Sequence, residues 1–332
     1  MNYNTSDHID AVITWVDGND PEHQKKRQEV LQRSGKSSES KLPTGRLKTR
    51  FIDNGELRFC IASIRKFAPW IRNIYLVTDN QTPDFLTESA KSKYNVTVVD
   101  HRDIFKSYEH VLPTFNSRTI ETAIWRIPGL AEHFIYFNDD FVLTSPLNRD
   151  HFFKNGKVVI RGRWRRVVNY GKWRLRINRI YSKLVKKLLG ITHSMHLLYQ
   201  IRSAQLAGFS DQYYYVPHVP HPVQKTVLAD FFEKYPELFE KNIQYKFRDT
   251  DQFSAFYLAY HLEISQKNAQ LIPPDKAMMI NGEMDFSGKI SRKIKAVENG
   301  EVEFLCIQGV EKIKPEQKKH LMKTLSALTE IN

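Results

Sequence analysis

Phe134-Ile135-Tyr136-Phe137-Asn138-Asp139-Asp140-Phe141 is the stretch whose reading decides the fold. Aromatic and β-branched residues fill Phe134 to Phe137, and one amide and two carboxylates follow directly. A short run of that kind reads as a buried strand. In open α/β sheets, ligands sit beyond the carboxyl ends of the strands, which is where Asn138, Asp139 and Asp140 fall. Adjacent acids repel unless a cation or a donor satisfies them. Oxygen ligands of this kind suit a hard divalent cation, Mg²⁺ or Mn²⁺. The plainer alternative is an Asp-rich turn that closes the strand.

The sequence upstream repeats the pattern. Ala11 to Val16 reads as a strand, ending in Asp17-Gly18-Asn19-Asp20-Pro21. Pro21 suits a first helical position and Asp20 a cap, so a helix is expected to about Arg33. Asp17 is then free to meet a ligand at the strand end. Residues 34–50 read as a loop. Leu57, Cys60, Ile61, Ile64, Phe67 and Ala68 recur at helical spacing up to Pro69. Asp53 and Glu56 fit a capping box at the start of that helix, and the alternative for Glu56 is a carboxylate aimed into a cleft. Ile74 to Thr78 and Val96 to Asp100 are further strands, the first ending in Asp79-Asn80-Gln81. Asn116-Ser117 can cap a helix through Ile120, Ala123, Ile124 and Ile127. Strands alternating with helices predict a mainly parallel α/β sheet covered on both faces.

Composition narrows the class. The 332 residues, 41% of them hydrophobic, suffice for one large or two modest domains. No apolar run is long enough to span a bilayer, and Met1 to Asp10 carries no signal-peptide pattern. The expected location is therefore the cytoplasm. Cys60 and Cys306 make neither a disulfide framework nor a zinc set and read as reduced core residues. The net charge of +13 is concentrated. Residues 151–210 hold fourteen Lys and Arg and no acid, and removing those fourteen from the chain's 50 leaves 36 basic against 37 acidic residues. Trp164, Tyr170, Trp173 and Tyr181 lie among them, and Ile177 to Leu189 forms an apolar helical stripe with a basic opposite face. A block of this kind favours an anionic partner: nucleic acid, a phosphate-rich ligand or an anionic membrane face. A solvated lid is the bland reading.

Beyond that insert, Tyr213 to Val216 reads as a short strand that leads into His218-Val219-Pro220-His221-Pro222, two imidazoles on a stiff turn. Imidazole is the natural base near neutral pH. Pro222 to Lys234 and Gln252 to Glu263 read as helices, the second capped by Asp249 or Thr250. Arg248 stands just before it, well placed for a phosphate. Val302 to Ile307 alternates like a strand, and Pro315 to Leu328 reads as a closing helix. There is no P-loop and no GxGxxG.

Four segments carry a resemblance. They are Ala11 to Pro21 (AVITWVDGNDP); Asp53 to Gln81 with its continuation LPTFNSRTIE and RIPGLAEHFIYFNDD; His218-Val219-Pro220-His221 with Tyr245 to Gln252; and, weakly, Phe304 to Ile307. Together they make the chain similar to the Stealth family of sugar-phosphate transferases. That family commonly has His where this chain has Arg118, a TNGQ-like turn where it reads Thr78-Asp79-Asn80-Gln81, and Asn-Asp where it has Gln308-Gly309.

The resemblance implies a Rossmann/GT-A-like fold with a basic, largely helical insert. It also implies transfer of a sugar-1-phosphate from a nucleotide-sugar, a UDP-sugar in the first instance, to an acceptor hydroxyl with release of UMP. On this footing His218 is the base, Arg248 the phosphate clamp and Glu56 an orienting or metal-assisting group. Asp139 and Asp140 hold Mg²⁺ or Mn²⁺, and Asp17, Asn54, Arg58, Asn116, Asn138 and His221 contact substrate. Residues 1–150 would form the nucleotide-sugar-binding part, 151–210 an insert or lid, and 211–332 a helical part completing the site. Acceptors in surface-polysaccharide assembly can be lipid-linked at the inner membrane face, which a basic, Trp-bearing insert suits. Two alternatives stand beside this one. The first is a GT-A-like glycosyltransferase that releases UDP. The second is a nucleic-acid-binding protein, to which acids and histidines at loop tips give no help; no nucleic-acid partner is expected.

Overall fold

The strand nearest the chain's start and the strand quoted above lie side by side, and everything else is arranged about that pair. A computed structural model describes residues 8–33, 54–167 and 193–331. Its first half alternates β1 (Ile9–Thr14), α1 (Pro21–Arg33), α2 (Glu56–Phe67), β2 (Ile74–Thr78), α3 (Glu88–Tyr94), β3 (Val96–Asp100), α4 (His101–Ile104), α5 (Ser117–Ala123) and β4 (His133–Asn138). The second half continues with β5 (Phe141–Leu143), β6 (Phe153–Lys154), β7 (Lys157–Arg161), β8 (Arg163–Arg166), α6 (His193–Leu206), β9 (Gln212–Tyr215) and β10 (His221–Gln224). Then come α7 (Lys225–Lys234), α8 (Pro236–Ile243), α9 (Ala255–Ser265), β11 (Ala269–Ile272), β12 (Ala277–Asn281), α10 (Ser287–Glu298), β13 (Phe304–Gln308) and α11 (Pro315–Thr329).

The central sheet runs β10-β4-β1-β2-β3, parallel except for β10 at its edge. This is the mainly parallel Rossmann/GT-A-like arrangement expected. Alternate side chains feed two cores, as the two-residue period of a strand requires. Ala11, Ile13, Ile74, Leu76, Ile135 and Phe137 meet α2 on one face. Val12, Tyr75, Val77, Phe134 and Tyr136 meet residues of α5, α7 and α9 on the other. A third core joins β12 and β13 to α10 and α11 through Ile280, Leu305, Ile307, Ile294 and Leu321. β5 pairs antiparallel with β13, so Asp139 and Asp140 sit where the central sheet hands over to the C-terminal one.

The end of the sheet away from the acids is tied by Asp10, which is fully buried. Its carboxylate accepts from Arg72 Nε and Nη2 at 2.9 and 2.6 Å, and from the backbone N–H of Asn73 (3.1 Å) and Ala131 (2.8 Å). One side chain thereby holds the starts of β1, β2 and β4 in register.

Several boundaries differ from the sequence expectation. β1 spans Ile9–Thr14, because its partners in β4 end at Asn138 opposite Thr14; Trp15 and Val16 belong to the turn beyond. Asp20 does cap α1, accepting from His23 N at 2.7 Å. The capping box at Glu56 does not form. Glu56 is the first helical residue, Gly55 in the left-handed region precedes it, and its carboxylate accepts from Asn54 N at 2.7 Å. Asp53 and the 34–50 loop lie outside the described residues. The helix expected from Pro222 begins at Lys225, because His221–Gln224 form edge strand β10, where a proline is tolerated. The helix expected from Gln252 begins at Ala255. Gln252 is buried and its side chain is engaged with Asn116 and Asn242, and Asp249 closes its own turn by accepting from Asp251 N. Within 151–210, the described residues form β6, β7, β8 and α6, and the stripe at 177–189 lies outside them.

Candidate active site

The chain leaves β1 towards β2 and β3 on one side and later returns to β4 on the other. The point between β1 and β4 is thus a topological switch, where open α/β sheets leave a crevice for ligand. A cleft of about 730 Å³ opens there, within the range of small-ligand sites. Thr14 and Trp15 from the end of β1, and Asn138, Asp139 and Asp140 from the end of β4, line its floor. Of the residues singled out in the sequence, Asn54, Glu56, Asn116, Asn138, Asp139, Asp140, His218, His221 and Arg248 all reach this cleft. Asp17 and Arg58 are not brought to its wall. The Asp17 carboxylate accepts from Asn19 N at 2.8 Å and closes the turn before α1. The Arg58 guanidinium lies over the ring of Phe59 at 4.7 Å.

The acidic side is built from β4, β5 and β13. Asp140 Oδ2 accepts from the Cys306 thiol at 3.7 Å, while its Oδ1 is shielded from solvent and makes no hydrogen bond. Burial, with the nearby Glu56 carboxylate adding to it, pushes Asp140 up to about 7. A carboxylate left half-satisfied beside a second one is the kind of donor set a divalent cation relieves, so Asp139 and Asp140 fit the expected metal. Among the described residues, no group of three His, Cys, Asp or Glu is gathered to hold an ion. Such a site matches the habit of Mg²⁺, which takes one or two carboxylates and completes its shell with water and substrate phosphate. Asn138 is partly committed, since its Oδ1 accepts from Tyr136 at 2.9 Å.

The opposite wall carries the nitrogen groups. His218 is half-buried, with its ring tilted against that of His196 from α6, centroids 4.3 Å apart. His196 is held by Gln200, whose Nε2 donates to its Nε2 at 2.7 Å, and its Nδ1 lies 3.4 Å from the Tyr257 hydroxyl. Burial, then the neighbouring His218 and Arg118, keep His196 well below the usual imidazole range. The same causes in the same order lower His221 to about 3. His221 is buried, Nδ1 is 3.0 Å from the Tyr260 hydroxyl, and its ring stacks on Phe256. His196 and His221 are therefore held as neutral groups on this wall, with the ring of His218 beside them.

Arg248 Nη2 donates to Ser117 Oγ at 2.6 Å, which aims the guanidinium across the start of α5. Arg118 stands one residue further on and pairs with buried Glu121 at 2.5 Å. Burial opposes its charge most strongly, but the Glu121 carboxylate together with the Tyr257 and Tyr199 hydroxyls raises the guanidinium above its usual range. Asn116 works inside the scaffold as well as lining the cleft. Its Nδ2 donates to Gln252 Oε1 (2.8 Å) and Tyr245 O (3.1 Å), and its Oδ1 accepts from Arg118 N.

Sequence reasoning missed His196, Tyr136 and the Arg118–Glu121 pair as parts of the site. Tyr136 sits inside an apolar run and reads as core, yet its hydroxyl links Thr14 (2.7 Å) to Asn138. His196 lies within the basic insert, in a stretch with nothing around it to mark it. The spacing of Arg118 and Glu121 is the one available signal, since residues three apart on a helix face each other.

Two segments match the Stealth family. Residues 7–35 match Stealth protein CR1, conserved region 1, and residues 50–160 match Stealth protein CR2, conserved region 2. These regions hold Glu56, Asn116, Asp139 and Asp140 but not His218 or Arg248. The capsular polysaccharide phosphotransferase fcs1 of Haemophilus influenzae is 32% identical over 270 residues, covering 80% of this chain and 68% of that protein. The capsular polysaccharide phosphotransferase LcbA of Neisseria meningitidis is 44% identical over 146 residues, covering 44% of this chain and 37% of that one. Among solved structures, the apo bifunctional glycosyltransferase WbbM aligns over 98% of this chain and 51% of its own, at 12% identity and a TM-score of 0.42.

Proposed function

The chain belongs to the Stealth family of phosphotransferases, and from that premise we propose that it moves a sugar-1-phosphate from a UDP-sugar to a hydroxyl of a growing surface-polysaccharide repeat unit. The observation that carries this reading is the division of one cleft at the β1–β4 switch point. Carboxylates line one wall, and the imidazoles of His196, His218 and His221 with the guanidinium groups of Arg118 and Arg248 line the other. The acceptor oxygen attacks the phosphorus attached to the sugar, and its proton passes to His218. The phosphoanhydride bond breaks and UMP leaves, while the sugar C1–O bond stays intact. Arg248 clamps the transferred phosphoryl oxygens with a planar fork that suits them. Glu56 orients groups on the acidic side, and Asn138 meets substrate with the part of its amide not taken by Tyr136. Asp139 and Asp140 would hold Mg²⁺ or Mn²⁺, which when bound supplies charge neutralisation to the phosphates.

The test is the identity of the leaving nucleotide. With a UDP-sugar and a saccharide acceptor, chromatography should find UMP formed in step with product. Stoichiometric UDP would instead identify a glycosyltransferase.

The acceptor is a saccharide that can be lipid-linked, and the basic stretch 151–210 supports peripheral contact with an anionic membrane at the inner face of the cell. Among the described residues no helix is long and apolar enough to cross a membrane. Flotation with anionic liposomes should show binding that weakens with salt. Equal recovery on neutral and anionic vesicles would remove that part of the reading.

A further inference from the structure

The end of the cleft beyond Asp140 is built differently from the end that holds His218, Arg118 and Arg248. Its wall is β12, the turn 282–286 and the start of α10. The two most exposed large apolar side chains among the described residues stand together there: Met284 at 57% and Phe286 at 73%. Met284 lines the cleft, and Phe286 stands two residues further along the chain.

The turn that presents them is locked. Asn281 Oδ1 accepts from the backbone N–H of Glu283 and Met284 at 3.0 Å, and Asn281 N donates to Asp285 Oδ2 at 3.0 Å. Lys289 and Lys293 both pair with Asp285, at 2.8 and 2.5 Å. Gly282 lies so close to the next turn that a Cβ there would come within 2.0 Å of Gly309 O. Met284 and Phe286 are thus held outward by a fixed backbone.

The polar groups around this platform are amides and carboxylates. Asn281, Glu283, Gln308 and Glu311 line the cleft, and Glu311 Oε1 is shielded from solvent with no hydrogen bond. Lys289 and Lys293 also line this end of the cleft, but Asp285 already engages both, and the guanidinium groups of Arg118 and Arg248 lie on the other wall. An apolar plate ringed by amide and carboxylate oxygens suits an uncharged polyol, which sets a C–H face on the ring and offers hydroxyls to the oxygens.

We propose that the turn 282–286 and the facing Gln308 and Glu311 form the acceptor-saccharide site, with Phe286 and Met284 as the stacking platform. This rests on the phosphosugar-transfer reading, which sets the transferred phosphate between Asp139 and Asp140 on one wall and His218 and Arg248 on the other.

The test uses the whole chain with a UDP-sugar and a panel of neutral mono- to tetrasaccharides labelled at the reducing end. For an acceptor that the wild type uses, Phe286→Ala and Met284→Ala should each raise the acceptor KM about tenfold, with donor KM within twofold. Phe286→Trp should keep the wild-type KM. An unchanged acceptor KM, or a donor KM that rises with it, overturns the assignment. Absence of turnover with every acceptor in the wild type counts against the transfer reading, and the site is then read by binding. Saturation-transfer NMR should show contact between the protein and the same neutral saccharides that is lost in Phe286→Ala. Transfer that is absent in the wild type, or equal in both proteins, overturns the site by itself.

Discussion

His221 offers the sharpest quantitative test of how the cleft is wired. It reaches the wall of the site, yet burial and the neighbouring His218 and Arg118 hold it neutral, with its pKa taken from 6.5 down to about 3. An unfolded chain binds a proton at this residue near pH 6.5, whereas the folded protein does so only near pH 3. The stability that His221 contributes is therefore fully present above pH 6.5 and is lost as pH falls from there towards 3. Each pH unit in that window costs about 1.4 kcal/mol, so at pH 5 the residue removes roughly 2 kcal/mol of stability. His221→Asn cannot titrate and still places a polar atom near the Tyr260 hydroxyl. Urea unfolding of both proteins at pH 7.5 and pH 5.0 gives the comparison. At pH 7.5 the variant should be the less stable, because it loses the stacking on Phe256. At pH 5.0 its deficit should shrink by about 2 kcal/mol. A deficit of equal size at both pH values refutes the reasoning. It would mean that His221 charges in the folded state.

The other predictions concern the two ends of the sheet. His218→Ala and Arg248→Ala should each lower kcat on the order of 10²–10³ with far-UV circular dichroism and melting unchanged; near-wild-type turnover in both variants removes these roles. Asp140→Asn replaces a carboxylate whose pKa burial raises to about 7 by a neutral amide, so in chelator the variant should gain thermal stability over the wild type as pH rises from 4 to 8. The same variant should lose transfer activity, and a loss of both stability and activity contradicts the assignment. Asp10→Ala takes the acceptor from the Asn73 and Ala131 N–H groups at the far end of the sheet and should cost about 3 kcal/mol, read as a lower urea midpoint, with activity per folded molecule preserved.

The parallel sheet was legible because its inner strands are buried on both faces and read as continuous apolar runs that end abruptly in polar turns; β2 falls where its run predicts, and edge strand β3, though part-exposed, is marked by its β-branched residues. The acids at the end of β4 were legible for the same reason. Edge strand β10 was not, because four residues containing a proline carry no periodicity and the next helix absorbs them. The helix start at Glu56 was misread because the left-handed Gly55 does the work assigned to a side-chain cap. Within the site, His218 and Arg248 announced themselves as charged groups on turns. Asp17 looked the same in sequence, but its carboxylate is spent on its own turn. His196 and Tyr136 stayed hidden because their roles arise from tertiary neighbours: a ring 4.3 Å away in one case, and in the other the hydroxyl that bridges β1 and β4. The exposed Phe286 follows a stretch with no strand or helix signal strong enough to place it, and its meaning depends on the cleft beside it.

The most direct measurement is ³¹P NMR of the reaction of a UDP-sugar with a saccharide acceptor and Mg²⁺. The account predicts that the donor's sugar-linked phosphorus reappears as a phosphodiester resonance while the other phosphorus appears as UMP. Both phosphorus atoms emerging together as UDP, with no phosphodiester in the product, would contradict it.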